Sequence, residues 1–352
     1  MTLHRTHHAP AFGAALRRRG FLRLAGAAVL TATVAAPATS ALAAAGDTGE
    51  PGKAGEAGRF DTLELDWQDA RRERPVPALL YLPLAAASAP VPLVVFSHGL
   101  GGSRRGYSHL GRHWAAHGCA SLHLQHVGSD RRLWGGGNPL ELLGRLREAA
   151  SEAEAIARVQ DLAFALDQVL GGEFAARIDP GRIVAAGHSF GANTALLAAG
   201  ARLERGGREV AFRDERVRAA MLLSAPPFHG EREPARVAAT VRLPTLHVTA
   251  TGDTIRLPGY YSGAEDRIAL FEAMGSPLKA LAVFQGGTHS IFTDRTGTGG
   301  FDLNARVKAA TQALTLAFLR GVLDGQAQAL RDWPQRHAAL LERYVAPAAG
   351  LA

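Results

Sequence analysis

From Arg59 onward the chain runs in short apolar stretches, each closed by a turn and most followed by an amphipathic segment. Leu63, Leu65 and Trp67 alternate with Thr62, Glu64 and Asp66, the two-residue period of a strand with one wet face. Residues 76–82 form a second apolar stretch, and the charged segment 68–75 between them predicts an opening β-hairpin. Leu93-Val94-Val95-Phe96 is unbroken, as in a strand buried on both faces. Helical spacing over 107–117 follows, then a strand over 120–124. Residues 139–170 carry Leu, Ala, Glu and Arg at helical spacing. Further strands are predicted over 182–186, 219–223, 245–250 and 280–284, and helices over 190–203 and 307–323. Repeated strand–helix–strand units imply an α/β fold, a mostly parallel central sheet with helices on both faces. Ligands in such sheets bind beyond the carboxyl ends of the strands. The loops opening at Ser97, Gly187, Ser224, Thr251 and Gln285 are therefore where chemistry belongs. Residues 128–160 exceed a minimal connection and read as a small cap over the pocket or as an extended surface helix.

Composition changes this picture mainly at the N-terminus. Hydrophobic residues make up 47% of the chain and charged residues 20%, enough apolar material for a full core. The single Cys119 excludes an intramolecular disulfide framework and a four-cysteine zinc site. A formal charge of +7 invites a nucleic-acid partner, but the charge is lopsided. Arg5, Arg17, Arg18, Arg19 and Arg23 precede any acidic residue, and without them 34 basic face 32 acidic residues. The nucleic-acid reading then loses its support. A basic start, an apolar run over 24–36 and Ala41-Leu42-Ala43 describe a signal peptide over 1–43. The arginines followed by Gly20-Phe21-Leu22 resemble the twin-arginine export signal. That resemblance implies the twin-arginine machinery as partner of the precursor and a periplasmic or secreted mature protein. Residues 44–58 are Gly, Ala and charge without period, a flexible linker, and 59–345 suit one α/β domain.

The strongest chemical signal is Gly187-His188-Ser189-Phe190-Gly191. A buried strand leads into it and a helix leads out, the context that a G-x-S-x-G nucleophile turn requires. Glycines two residues either side avoid clashes where strand and helix crowd, and the serine hydroxyl is lifted toward a helix N-terminus that favours an oxyanion. Serine needs a base, and the base an orienting carboxylate. Of His229, His247, His289 and His337, only His289 lies in the loop just past the last predicted strand. Asp253 follows the penultimate strand, whereas Asp266 and Asp294 sit further from any strand end. The bland alternatives are a solvent-facing loop for His289 and a helix N-cap for Asp253. Two amides must bind the oxyanion: Phe190 N–H, and Leu100 N–H in His98-Gly99-Leu100-Gly101-Gly102, where His98 braces the loop. His113 and His117 are four apart on a helix, but no H-E-x-x-H pattern is present, and neither a metal nor a cofactor is expected. Arg104-Arg105 and Arg131-Arg132 read as solvated faces.

Residues 59–323 resemble the α/β-hydrolases, specifically the bacterial predicted dienelactone hydrolases and plasma-type platelet-activating-factor acetylhydrolases. The resemblance rests on Val95-Phe96-Ser97-His98-Gly99-Leu100-Gly101, Trp114-Ala115-Ala116-His117-Gly118 and the Ser189 motif. It implies a metal-independent serine esterase with nucleophile Ser189, base His289 and oxyanion donors Leu100 and Phe190. The acetylhydrolases carry the acid after the strand that follows the nucleophile. Here that position reads Leu223-Ser224-Ala225-Pro226, so the acid falls to Asp253. Dienelactone hydrolases use a cysteine nucleophile, and this site has serine. The expected activity is cleavage of a small-molecule or lipid-like carboxylic ester. A peptidase, acyltransferase or lactonase would use the same triad, and an exported binding protein would keep the scaffold without turnover.

Overall fold

The computed structural model describes residues 58–205, 207–231, 233–257 and 260–347. The signal peptide expected over 1–43, and the linker over 44–58 except Gly58, lie outside the described residues.

β1 (Phe60–Asp69) and β2 (Arg74–Pro83) form the expected hairpin, with Leu63 opposite Leu80 and Leu65 opposite Ala78. The chain then enters the sheet interior through β3 (Val91–Ser97), α1 (Ser108–Ala116) and β4 (Ala120–Leu124). A long excursion, α2 (Pro139–Ala149) and α3 (Glu152–Gly171), leads to β5 (Ile178–His188) and α4 (Phe190–Ala198). A separate hairpin of β6 (Arg202–Arg205) and β7 (Arg208–Ala211) precedes β8 (Val217–Leu223), the short α5 (Pro234–Ala238) and β9 (Thr245–Gly252). β10 (Ile255–Leu257), β11 (Tyr260–Ser262) and α6 (Ala264–Ala273) then lead to β12 (Lys279–Thr288). α7 (Phe301–Asp324), α8 (Gln328–Arg336) and β13 (Leu341–Val345) close the fold.

Nine strands make one sheet in the order β1-β2-β4-β3-β5-β8-β9-β12-β13. β4 through β12 pair parallel, while β1, β2 and β13 are antiparallel additions at the two edges. Side chains of the central strands divide between two cores. Leu93, Val95, Ile183 and Ala185 pack with α3 and α4. Val94, Phe96, Val184 and Ala186 pack with α1, α7 and α8 on the other face. Both faces are covered, which explains why these strands lack polar alternation. Trp114 of α1 locks onto α7 by donating from its indole to Thr315 Oγ1 at 3.0 Å.

The strand order reverses at β3, which has β4 on one side and β5 on the other. The ends of β3 and β5 therefore flank a crevice that no crossover covers, the place where open α/β sheets bind ligands. Ser97-Gly102 and Ser189 open from those two ends.

Three expectations change. The helix expected over 190–203 stops at Ala198, because Gly200 has φ 109° and turns the chain into the β6–β7 hairpin. The single helical stretch over 139–170 is two helices, with Ser151 accepting from Glu154 N–H at the start of the second. Arg104 is not a solvated face. Its guanidinium donates to the Leu65 and Ala78 carbonyls and to Asp66 and Glu64, pinning the opening hairpin. Arg105 and Arg132 remain exposed. Beyond the helix expected over 307–323, the chain adds α8 and β13, and β13 extends the sheet by pairing antiparallel with β12.

Candidate active site

Ser189 stands in the turn between β5 and α4 with φ 55° and ψ −123°, a conformation that L-residues rarely adopt. The flanking glycines permit it. A Cβ on Gly187 would lie 2.2 Å from the Gly191 carbonyl oxygen, and one on Gly191 would lie 1.9 Å from that of Ser97. Both spacings are far inside van der Waals contact, so neither position admits a side chain. Ser189 N–H donates to the Leu223 carbonyl at 2.9 Å, which ties the turn to the end of β8.

His289 follows β12 and brings Nε2 to 2.8 Å from Ser189 Oγ. Its Nδ1 lies 2.7 Å from Asp253 Oδ1. Because the carboxylate accepts, Nδ1 carries the proton and Nε2 presents its lone pair to the serine hydroxyl. The three residues assigned from sequence thus meet in one hydrogen-bonded line. Asp253 is fully buried. Burial alone would raise its pKa, but the His289 bond and charge, the Arg267 charge and the Ser224 bond outweigh that. The net effect holds its carboxyl well below the usual range. Asp266 instead serves the start of α6, accepting from Ser262 Oγ and Gly263 N–H. Asp294 accepts from Ser108 N–H and His109. His247 is buried edge-on to Phe271, and His337 lies against Trp333.

The loop after β3 is fastened amide by amide. Gly99 N–H donates to the Tyr107 hydroxyl, Gly101 N–H to Ser129 O and Gly102 N–H to Gly99 O. Leu100 N–H is the one of these four with no acceptor among the described residues. Phe190 N–H, in the first turn of α4, likewise has none there. The two amides expected to bind an oxyanion are thus both unengaged among the described residues. His98 braces the loop as expected: Nδ1–H donates to Gly99 O at 2.7 Å, and Nε2 accepts from His126 N–H at 3.2 Å. Burial first, then the charges of Arg158 and His126, push its pKa well below 6.5, so the imidazole is neutral.

Several contributors carried no sequence motif. Ser224 Oγ and Thr249 Oγ1 donate to Asp253 Oδ2 at 2.5 and 2.7 Å. Ser224 occupies the post-β8 position where a carboxylate was absent, so that strand end still reaches the acid through a hydroxyl. Arg267 of α6, itself buried, places Nε 3.5 Å from Asp253 Oδ2. Arg158 of α3 is fully buried beneath the loop. It donates to His98 O, to Ser129 Oγ at 2.8 Å and to Thr194 Oγ1 at 3.1 Å, and its guanidinium lies 4.7 Å from the Phe190 ring centroid. Burial lowers its pKa to about 10, so it keeps its charge at neutral pH. Of the segment 128–160, α3 belongs to the core, while α2 is a surface helix with only Ala149 buried. Besides Ser129 and Arg158, the segment reaches the candidate site through Trp134, which is 52% exposed and donates from its indole to Gly101 O at 2.9 Å. The His113–His117 pair is closed locally, His117 Nδ1 lying 2.7 Å from the His113 carbonyl. No cluster of three metal-ligating side chains occurs among the described residues.

Residues 74–130 match the family model of platelet-activating factor acetylhydrolase, isoform II. The match spans β2, β3, α1, β4 and the Leu100 loop and stops before the Ser189 turn. Among solved structures the chain is similar to a ferulic acid esterase from Streptomyces cinnamoneus, with 24% identity and a TM-score of 0.55, over 76% of this chain and 90% of that one. It is also similar to a cold-adapted esterase from an Arctic intertidal metagenomic library, with 21% identity and a TM-score of 0.45, over 66% and 85%. No curated protein sequence matches.

Proposed function

We propose, from the α/β-hydrolase fold of this chain, that it is a serine hydrolase that cleaves carboxylic esters through an acyl-enzyme. The carrying observation is the line from Asp253 through His289 to Ser189, at 2.7 and 2.8 Å, with the serine in a strained strand-to-helix turn. The names of the acetylhydrolase family and of the ferulic acid esterase support an ester substrate. In the first step His289 Nε2 takes the Ser189 proton as Oγ attacks the ester carbonyl carbon. The carbonyl oxygen becomes an oxyanion, bound by Leu100 and Phe190 amides, each worth about 3–4 kcal/mol in comparable sites. The imidazolium then gives its proton to the departing alcohol as the C–O bond breaks. Water, deprotonated by His289, attacks the acyl-serine, and collapse of that intermediate releases the acid and returns the proton to Ser189. Asp253 stays ionised throughout, fixes the tautomer and stabilises the imidazolium.

Ser189→Ala should lower kcat for short p-nitrophenyl esters at least 10³-fold while the protein still folds, and should abolish labelling by a fluorophosphonate. Turnover retained by that variant sinks the reading. The arginine-rich start supports a second part of the proposal, export of the folded chain by the twin-arginine route to the periplasm or beyond. Residues 1–43 fused to a folded reporter should carry it out of the cytoplasm, and Arg18→Lys with Arg19→Lys should retain it there. Export that survives both changes refutes this route.

A further inference from the structure

His188, the residue between Gly187 and the nucleophile, is buried and has no part in the mechanism above. Its Nε2 lies 2.9 Å from the His289 carbonyl oxygen. A carbonyl only accepts, so Nε2 carries the proton and Nδ1 is an acceptor. The Tyr107 hydroxyl, 2.8 Å from Nδ1, must donate to it. The same hydroxyl oxygen accepts from Gly99 N–H at 3.3 Å. Every proton along this line is fixed by its two ends: Gly99 N–H to Tyr107, Tyr107 O–H to His188, His188 N–H to the His289 carbonyl. Burial, then the His289 charge, lowers the His188 pKa to about 3, so the ring stays neutral and the pattern holds at any working pH. The packing is equally tight. A Cβ on Gly99 would lie 3.0 Å from His188 Nδ1, 3.3 Å from Ser189 Cβ and 3.3 Å from the Tyr107 hydroxyl. Tyr107 itself has φ 59°, a left-handed conformation at the start of α1 that turns its ring onto Phe96, with centroids 4.7 Å apart.

The two ends of this line are the two halves of the candidate machinery. Gly99 precedes the Leu100 amide, and His289 is the base. We propose that Tyr107 and His188 are positioning residues that hold the Leu100 loop and the His289 loop in fixed register, so that the oxyanion donor and the base are aligned together. The proposal rests on the Ser189–His289–Asp253 reading. Neither residue touches substrate; both act through backbone groups of the residues that do. A misplacement of about 1 Å at such a site costs roughly 10²-fold in rate, so two hydrogen bonds to loop backbone are well spent here.

Three variants separate this role from simple packing. Tyr107→Phe keeps the ring and removes the hydroxyl. His188→Gln keeps an N–H near the Nε2 position and loses the tyrosine link. The third carries both changes. For a short p-nitrophenyl ester, each single variant should lower kcat about 10–100-fold with KM changed less than about 3-fold. Fluorophosphonate should still label Ser189 to full stoichiometry, at a rate reduced in parallel with kcat. The double variant should be no slower than the worse single, because both changes cut one line and their effects do not add. Kcat within about twofold of the parent in Tyr107→Phe, or losses that multiply in the double variant, overturn the proposal. A parent protein with neither turnover nor label would instead refute the triad reading itself, which keeps the two failures distinct.

Discussion

Ser189 and Ser224 both hold positive φ, 55° and 52°, in positions where a side chain costs about 1–3 kcal/mol of backbone strain. Both sit at carboxyl ends of neighbouring strands, and both join the same hydrogen-bonded line: Ser189 is its proposed nucleophile, and Ser224 donates to Asp253. Ser224→Ala removes the 2.5 Å bond to Asp253 but leaves Thr249 and Arg267 in place. Kcat should fall about tenfold, the loss expected for one hydrogen bond to a charged group, with KM little changed; steady-state kinetics that match the parent refute this. Ser189, His289 and Asp253 were legible in the sequence because each follows a strand that the apolar pattern already marked. Ser224, Thr249, Arg267, Tyr107 and His188 were not. Their roles depend on which strand ends lie side by side, and strand order is not written in local pattern. The absence of a carboxylate after β8 was readable; that a serine there would reach across to the next strand end was not.

At the scale of elements, the strands were more legible than the helices. β4 runs over the predicted residues, and the other parallel strands extend their predicted cores by one to four residues at one or both ends. β3, β5, β8 and β12 are marked by continuous apolar runs, whereas β4 and β9 carry Ser121, His123, His247 and Thr249 among their buried positions. The small hairpins β6–β7 and β10–β11 escaped notice because their strands are only three or four residues long, too short to establish a period. α8 was missed for another reason. It carries Pro334 and few apolar residues, and it is recruited by Trp333, whose indole donates to Ala310 O at 3.0 Å. α3 was readable as a helix but not as a support. Its Arg158, Asp161 and Glu154 look like a solvated face, yet they form a buried polar layer with His126, Ser129 and Arg74 beneath the Leu100 loop. Burying these charges is tolerated because the network is so fully paired.

For the molecule as a whole, the buried imidazoles govern its response to acid. His98, His113, His123, His126, His188 and His247 all have pKa values pushed below 6.5, in each case first by burial. His113, His123 and His126 fall to about 4, and His188 and His247 to about 3. Between pH 6.5 and about 4 the unfolded chain therefore binds more protons than the folded one, and stability rises with pH across that window. The lowered carboxylates, Asp253 and Asp161 among them, add their contribution above 3.8 and lose it only at lower pH. Tm should be nearly level between about pH 7 and 8, fall steeply from 6.5 to 4, and fall further below that. A thermal-unfolding series that is flat from pH 6.5 to 4.5 contradicts this.

Sheets of this kind also have ends, and the two here are defended. Among the described residues the outermost strands are β1 and β13. β1 exposes Asp61, Glu64 and Asp66, and β13 exposes Glu342 and Arg343. A second molecule offering its own strand would have to bury these charges to extend the ladder. Edge-to-edge pairing of copies through β1 or β13 is thereby opposed at both rims.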